Sequence, residues 1–456
     1  MPIAVNSGAP SGTAVWGLAA PREGTPSLQQ RRGLGHARTL ALTAALLACA
    51  PSAGADQTLR VGTSGDYAPF SVGAPAPGGP AIGPYQGFDP DLARAYAKDR
   101  NLTLQFVRFR WPELTADLEA GRFDVAMSGI TVRPERSLAG RFTIPVALSG
   151  AVALVPADGP LERVDELNRP GVHIAVNAGG HLERTARQHF PRATVLPVSN
   201  NADVLGALAQ GIAQAVISDT REAPHWRARR SGLRVLGPFT RDRKALLVAA
   251  DLPELARDLD TWLLAAERSG RMAEWRARSL GEPGAGQPQR PVLSALLAAI
   301  NERLALMPLV AESKRGPGSS VAVPEREARV VDAALARVRK TELEAKIAPS
   351  RAIPEAAVRQ LFRAQIEAAK SIQRRVLALA RPAGSPVPPD LDGTLRPALL
   401  RIGDRIARLV VELPAGIGAD EIRTLSVREL GSLNLPEGRV DDLADALVAL
   451  RPGPDQ

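Results

Sequence analysis

Asp219 and Glu222 stand three positions apart where the apolar run of "AVISDTREAPHW", residues 215–226, gives out. One reading of that spacing is a helix start. Asp219 is then the N-cap and Glu222 the third helical residue, each side chain satisfying a backbone N–H of the other. The second reading is chemical. A Glu222 carboxyl facing a cleft can donate a proton, provided that desolvation or a neighbouring negative charge keeps it protonated near neutral pH. Further along, "AINERLALMPLVAESKR" sets Arg303 and Lys314 beside the apolar stripe of Ile300, Leu304, Met307 and Ala311. Eleven residues make three helical turns, so the two cations return to within about 20° of one another, with Pro308 between them bending the helix. A cation on or beside a buried face is costly without a partner. In "AVRQLFRAQIEAAKSIQ" the polar Gln373 shares a stripe with Phe362, Ile366 and Ala369, and it too needs a partner, either a neighbouring helix or a bound molecule.

The elements that position these residues fall into two kinds. From Asp56 to about Leu280, short apolar runs such as "TLRVGTS", "LTLQFVRF", "FDVAMSG", "GVHIAVNAGG" and "IAQAVISD" alternate with helical patterns such as "FDPDLARAYAKDRN", opened by Asp89. Strands separated by helices of that length imply parallel α/β layers. "GEPGAGQPQRP", residues 281–291, reads as a linker. Beyond it the periodicity is purely helical, with helices expected at 292–313, 324–346, 354–379, 395–411, 419–430 and 440–450. The expected domains are therefore 56–280 and 292–456.

Composition narrows the partners. The chain of 456 residues is 45% apolar, enough for a sizeable core, and its formal charge of +9 comes from scattered arginines. At 4% aromatic there is no basic stripe with interleaved rings of the kind nucleic acid requires. Individual arginines holding small anions suit the pattern better. No metal-ligand or cofactor motif is present in the sequence. Arg31, Arg32 and Arg38 precede the apolar run "LALTAALLACA" and then "AGA", the pattern of a signal peptide over 31–55 that is cut near Asp56 and leads to the periplasm. Residues 1–30 read as an extension or a misplaced start. Cys49, the only cysteine, offers a lipid anchor as the alternative to cleavage. No later segment reads as long and apolar enough to cross a membrane. Oligomeric state stays open.

"LRVGTSGDYAPFS", "YQGFDPDLARAYA", "RWPELTADLEAGRFDVAMSGITVRPER" and "DVLGALAQGIAQAVISD" resemble, in order and spacing, the periplasmic type-2 solute-binding proteins. The resemblance implies two α/β lobes joined by crossing strands, with "FTIPVALSGAVALVP" leaving the first lobe and "LRVLGPFTRDRKALLVA" returning to it. It also implies that Arg136 pairs with a ligand carboxylate, that Ser128 and Thr131 flank it as donors, and that Asp219 holds a ligand amine. "TSGDYAPFS", "RFDVAMSGIT", "PGVHIAVNAGG" and "SDTRE" are similar, more narrowly, to cyclohexadienyl dehydratases, former binding proteins that convert prephenate or arogenate to phenylpyruvate or phenylalanine. That resemblance makes Glu222 the general acid and adds Trp111, Asn177, Gly179 and Gly180 to the substrate-binding set. Ser218, Thr220, Arg221, His181 and Leu182 depart from the family pattern. Arg221, beside Glu222, is expected to face solvent.

"ERLALMPLVAESKR", "PEREARVV", "FRAQIEAAKSIQ" and "PPDLDGTLRPALLRIGDRI" resemble the secreted subclass of all-helical chorismate mutases. By that resemblance Arg303, Arg326 and Arg396 grip the carboxylates of chorismate, while Lys314 and Gln373 hydrogen-bond its ether oxygen. Val330 stands where relatives carry a glutamine. The expected architecture is a two-lobed type-2 binding-protein fold followed by an all-α mutase domain, with chorismate and prephenate or arogenate as the small-molecule partners. The alternative is an amino-acid-binding or sensing module fused to a mutase, without dehydratase activity.

Overall fold

A computed structural model describes residues 57–73, 84–282, 290–316, 320–381 and 384–450. The expected signal peptide, Cys49 and most of the expected linker lie outside them. Twelve strands occur in the α/β part: β1 (Thr58–Thr63), β2 (Asp66–Tyr67), β3 (Ser71–Val72), β4 (Thr103–Arg108), β5 (Val125–Ala126) and β6 (Gly140–Ser149), then β7 (Ala151–Pro156), β8 (His173–Asn177), β9 (Thr194–Val198), β10 (Ala215–Asp219), β11 (Leu233–Leu236) and β12 (Asp242–Ala249). They form two five-stranded sheets, ordered β4-β1-β5-β12-β6 and β11-β7-β10-β8-β9, and a small β2–β3 hairpin. In each sheet four strands run one way and a single strand runs against them, β12 in the first and β7 in the second, each the strand on which the chain enters that lobe from the other. The crossings are β6 to β7 and β11 to β12, as the sequence implies.

Gly150 sits at the first crossing. Its N–H donates to Thr220 Oγ1 at 3.2 Å and its carbonyl accepts from Thr220 N–H at 2.9 Å. A side chain there would collide with the Thr240 carbonyl of the second crossing, so only glycine lets the two crossings touch.

The helix Phe88–Asp99 is not opened by Asp89 as expected, because Gly87 occupies the cap position. The buried Asp89 carboxylate instead accepts the N–H of Gly129, a residue with φ +63 packed against Tyr67 and Phe70. Burial pushes Asp89 up to about 7. A carboxyl raised in the folded state binds protons that the unfolded chain has already released, so its contribution to stability declines as pH rises from about 4 to about 7. Asp89→Asn is therefore expected to flatten the fall of melting temperature between pH 5 and pH 8, with a gain of a few kcal/mol at pH 8. Parallel melting curves for variant and wild type would refute this.

The helical part comprises Pro291–Ala305, Met307–Arg315, Pro324–Glu344, Glu355–Ala378, Arg396–Val411, Ala419–Leu430 and Arg439–Ala449. The first expected helix is broken at Leu306, where Pro308 cannot donate to a carbonyl one turn back. Read as one unit of 25 residues, Pro291–Arg315 is long and apolar enough to cross a membrane, contrary to expectation, yet 72% of its apolar window is buried within the protein. A core helix passes the same test of length and composition.

One hydrophobic cluster runs without interruption from the first lobe (Val61, Phe88, Leu247) through Leu296 and Val338 to Leu447. The second lobe has two clusters of its own, one on each face of its sheet. Charged groups also cross between the first lobe and the helices. Glu302 accepts from Ser137 Oγ at 2.8 Å and pairs with Arg405, which also donates to the carbonyls of Phe142 and Thr143. Arg408 meets Asp260 at 2.8 Å. Such buried pairs add little net stability, but losing one member leaves an uncompensated charge.

Candidate active sites

Between the lobes lies a cavity lined by Tyr67, Trp111, Thr131, Arg136 and Lys244 on one side and by Asn177, Gly180, His181, Asn201 and Glu222 on the other. Glu222 follows β10 and immediately precedes the helix Ala223–Arg229. Asp219 Oδ1 accepts the N–H groups of Arg221 and Glu222 at 2.8 and 3.1 Å, so Asp219 does cap the turn. The reciprocal half of the box is missing. The Glu222 carboxyl, 2% exposed, accepts instead from Asn201 Nδ2 at 2.6 Å and Ser218 Oγ at 2.8 Å. Burial first, then the negative charge of Asp219, pushes it up to about 8, against the lowering effect of those two hydrogen bonds. This carboxyl is protonated at neutral pH and in contact with the cavity.

The opposite wall is cationic. Arg136, 2% exposed, lies over the Trp111 ring, and its Nη1 donates to the Thr131 carbonyl at 3.0 Å. Burial and the nearby Arg133 lower its pKa well below the usual arginine value. Arg133 is itself pushed down to about 10 by burial and by Arg184. Two crowded guanidinium groups in a dry site are stabilised by an anion. Lys244 Nζ donates to Tyr67 Oη at 2.8 Å and Thr131 Oγ1 at 2.9 Å, and meets Asp219 at 3.3 Å. Tyr67 donates to Asp219. Trp111 Nε1 is fixed by Asp66 at 3.0 Å. His181 Nε2 lies 3.0 Å from Asp242, and burial holds this imidazole below its ordinary pKa.

In the helical part Lys314 Nζ donates to Gln373 Oε1 at 3.0 Å, and Gln373 Nε2 rests on Met307 Sδ at 3.5 Å. The pKa of Lys314 is lowered by burial and by Arg326 and Arg396, that of Arg326 by burial and by Arg396. The three cations thus face one another. Arg303 stands one turn before Met307. Burial alone pushes it down to about 10, and its enclosed Nη1 has no hydrogen-bond partner among the described residues. Arg396 pairs with Asp392, and its Nε is likewise enclosed without a partner among those residues.

Residues 59–282 match the family of bacterial extracellular solute-binding proteins, family 3, and residues 294–374 match chorismate mutase type II. The cyclohexadienyl dehydratase of Pseudomonas aeruginosa is 33% identical over 226 residues, which cover 48% of this chain and 82% of that protein. The chain belongs to the cyclohexadienyl dehydratase family. The ABC transporter arginine-binding protein 1 of Escherichia coli is 26% identical over 190 residues, covering 41% of this chain and 74% of that one. Among solved structures, the ancestral amino acid-binding protein AncCDT-1, a precursor of cyclohexadienyl dehydratase, is 31% identical over 49% of this chain and 95% of its own, with a TM-score of 0.45. To the cyclohexadienyl dehydratase part this chain adds a helical region of the mutase family.

Of the residues singled out in the dehydratase-like part, Trp111, Thr131, Arg136, Asn177, Gly180 and Glu222 line the cavity. Asp219 stands directly behind it, bonded to Tyr67 and Lys244. Ser128 does not reach the wall, because its hydroxyl is held inside the first lobe by Ser64 at 2.8 Å. Gly179 uses its N–H on Glu183 at 2.7 Å. Arg221 turns away from Glu222 but not into solvent: it donates to the Leu148 carbonyl at 2.7 Å and pairs with Glu282. Tyr67, Asn201 and Lys244 were missed. Lys244 left a signal, the last residue of a charged run that leads straight into the apolar strand "ALLVA", whereas Tyr67 and Asn201 left none in local spacing.

Proposed function

We propose that the chain is a bifunctional periplasmic enzyme of phenylalanine formation. The helical part rearranges chorismate to prephenate, and the cleft converts prephenate, or arogenate, to phenylpyruvate or phenylalanine. The observation that carries the second step is the Glu222 carboxyl, buried and held up to about 8 in a cavity whose other wall is cationic. A transport receptor needs no buried neutral acid. In the proposed reaction Arg136, with Arg133 behind it, receives carboxylate. Glu222 protonates the ring hydroxyl, whose C–O bond breaks to release water. The ring carboxylate leaves as carbon dioxide, and its C–C bonding pair completes the aromatic ring. Glu222 then regains a proton from solvent. Ser218 and Asn201 fix the carboxyl, and Asp219 with Lys244 keeps its surroundings polar but dry.

In the helical part the reaction is an internal rearrangement without proton transfer. Arg303, Arg326 and Arg396 supply fixed positive charge for the carboxylates, and the Lys314–Gln373 pair supplies donors at the breaking ether bond. Fusion places the maker of prephenate on the same chain as its consumer.

The test is to incubate the purified chain with chorismate and separately with prephenate, following phenylpyruvate across pH. Because the protonated form of Glu222 is the active one, kcat with prephenate is expected to be level below neutrality and to fall through a single ionisation near pH 8. Binding of prephenate or an amino acid without turnover would establish the binding-protein reading instead. A rate that rises through pH 8 would exclude Glu222 as the acid.

A further inference from the structure

Strand β12 carries three consecutive charged residues, Asp242, Arg243 and Lys244, and side chains alternate across a sheet. Asp242 and Lys244 point to the cleft, where they hold His181 and the group of Tyr67, Thr131 and Asp219. Arg243 points the other way, into the helical part. There its Nε and Nη2 donate to Glu429 Oε2 at 3.2 and 2.8 Å, and Nη2 also donates to the Glu429 carbonyl at 2.7 Å. Both members are buried. Arg241 and Arg428 reach the same carboxylate at 3.0 Å, and Asn301 Nδ2 holds the Glu429 carbonyl at 2.9 Å. Although burial alone raises a carboxyl, Arg243 and its neighbours hold Glu429 below the usual carboxylate range.

Backbone pairing holds residues 242–244 against β6 and bridges Lys244 to Thr131, with the Arg243 carbonyl accepting from Val132 N–H at 2.9 Å, but the ladder with β6 is broken just beyond. The register shifts between Lys244 and Ala245 and again between Ala245 and Leu247. A bulge re-aims side chains and loosens the ladder around it, so the direction of Lys244 depends on the bridge to Thr131 on its other edge and on what holds the neighbouring Arg243. An arginine next to it with two donors on one carboxylate oxygen and a further bond to the carbonyl of the same glutamate is a stiff anchor. A pair of this kind contributes direction more than net stability.

We infer that Glu429 of the helical part is a positioning residue for the cleft reaction, acting through Arg243 to hold β12 so that Lys244 and Asp242 face the substrate. This rests on the dehydratase reading of the cleft. The helical part then has two roles, its own chemistry and the backing of its neighbour's active site.

The experiment uses the whole chain with Glu429→Gln, and with Glu429→Asp, which retains the charge. For Glu429→Gln we expect kcat with prephenate to fall about tenfold or more with KM changed less than about threefold, while chorismate consumption by the same sample stays within about twofold. The substitution lies in the helical part, so damage to its own fold would lower the mutase step first. Glu429→Asp is expected to recover most of the loss, and it carries the comparison if the Gln variant does not fold. Amide exchange at residues 242–245 is expected to accelerate about tenfold or more in Glu429→Gln, with the rest of β12 protected as before. Unchanged prephenate turnover, or equal loss of both activities, would overturn the inference. If the wild type itself does not turn over prephenate, the proposed function falls, and the exchange measurement alone decides whether Glu429 positions β12.

Discussion

Replacing Glu222 by glutamine is expected to lower kcat for prephenate about a thousandfold, within the range of about 10² to 10⁴ that a positioned general acid contributes. The amide is nearly the same size as the neutral carboxyl and can still accept from Asn201 or Ser218, the two groups that fix it at 2.6 and 2.8 Å. Substrate binding should therefore survive, with KM within about threefold. What disappears is the proton. Fed chorismate, the variant should accumulate prephenate at the wild-type rate. The single ionisation near pH 8 should vanish from any residual activity, because the amide has no proton to lose in that range. Retention of turnover within about tenfold of wild type would assign the acid elsewhere.

The mirror experiment is Lys314→Ala. Loss of one charged donor to a developing oxygen charge typically removes about 10² to 10³ in kcat, so chorismate consumption should drop by that amount while prephenate turnover stays within about twofold. The physical surroundings add a second expectation. Lys314 is destabilised by burial and by its cationic neighbours Arg326 and Arg396. Removing it relieves repulsion, at the loss of its bond to Gln373. The variant should melt at or above the wild-type temperature despite losing its activity, the trade expected where a site is built for function at a cost in stability. A large fall in melting temperature would mean that Lys314 serves the fold more than the chemistry.

Much of this was legible in the sequence because local rules govern it. The apolar runs of β1, β4, β8 and β10 read as strands, and the six helical patterns beyond residue 290 end within about two residues of where helices end, the first of them broken at Leu306. Prolines at 324 and 397 mark first-turn positions as they do in the helices themselves. The cations of the mutase-like site were legible through their cost, since Arg303 and Lys314 stand where burial penalises charge. What stayed hidden depends on pairs distant in sequence. Tyr67 and Asp219 lie 152 residues apart, Lys244 and Tyr67 177, and Arg243 and Glu429 186. No periodicity encodes such meetings. Arg221 shows the limit well: adjacent residues at a helix start point in different directions, which predicts a side chain in water, whereas Leu148 and Glu282 bring it down onto the protein. Ser128 shows the converse, a residue of the expected type whose hydroxyl is already used by Ser64.

The division of the hydrophobic interior has a mechanical consequence. The first lobe and the helices share one cluster, whereas the buried apolar residues of the second lobe cluster only with one another. The molecule is thus a heavy frame and a single lighter jaw, joined through Gly150 and the segment before β12. Arg136, Trp111 and Lys244 belong to the frame, and Asn177, His181, Asn201 and Glu222 to the jaw. Swinging the jaw outward would wet Glu222 and part Asp219 from Tyr67 and Lys244. In water an ordinary carboxyl is ionised at neutral pH. Closing would dry it again and oblige it to take a proton from solvent on the way in. In such a cycle closing on substrate would protonate Glu222 and opening would ionise it.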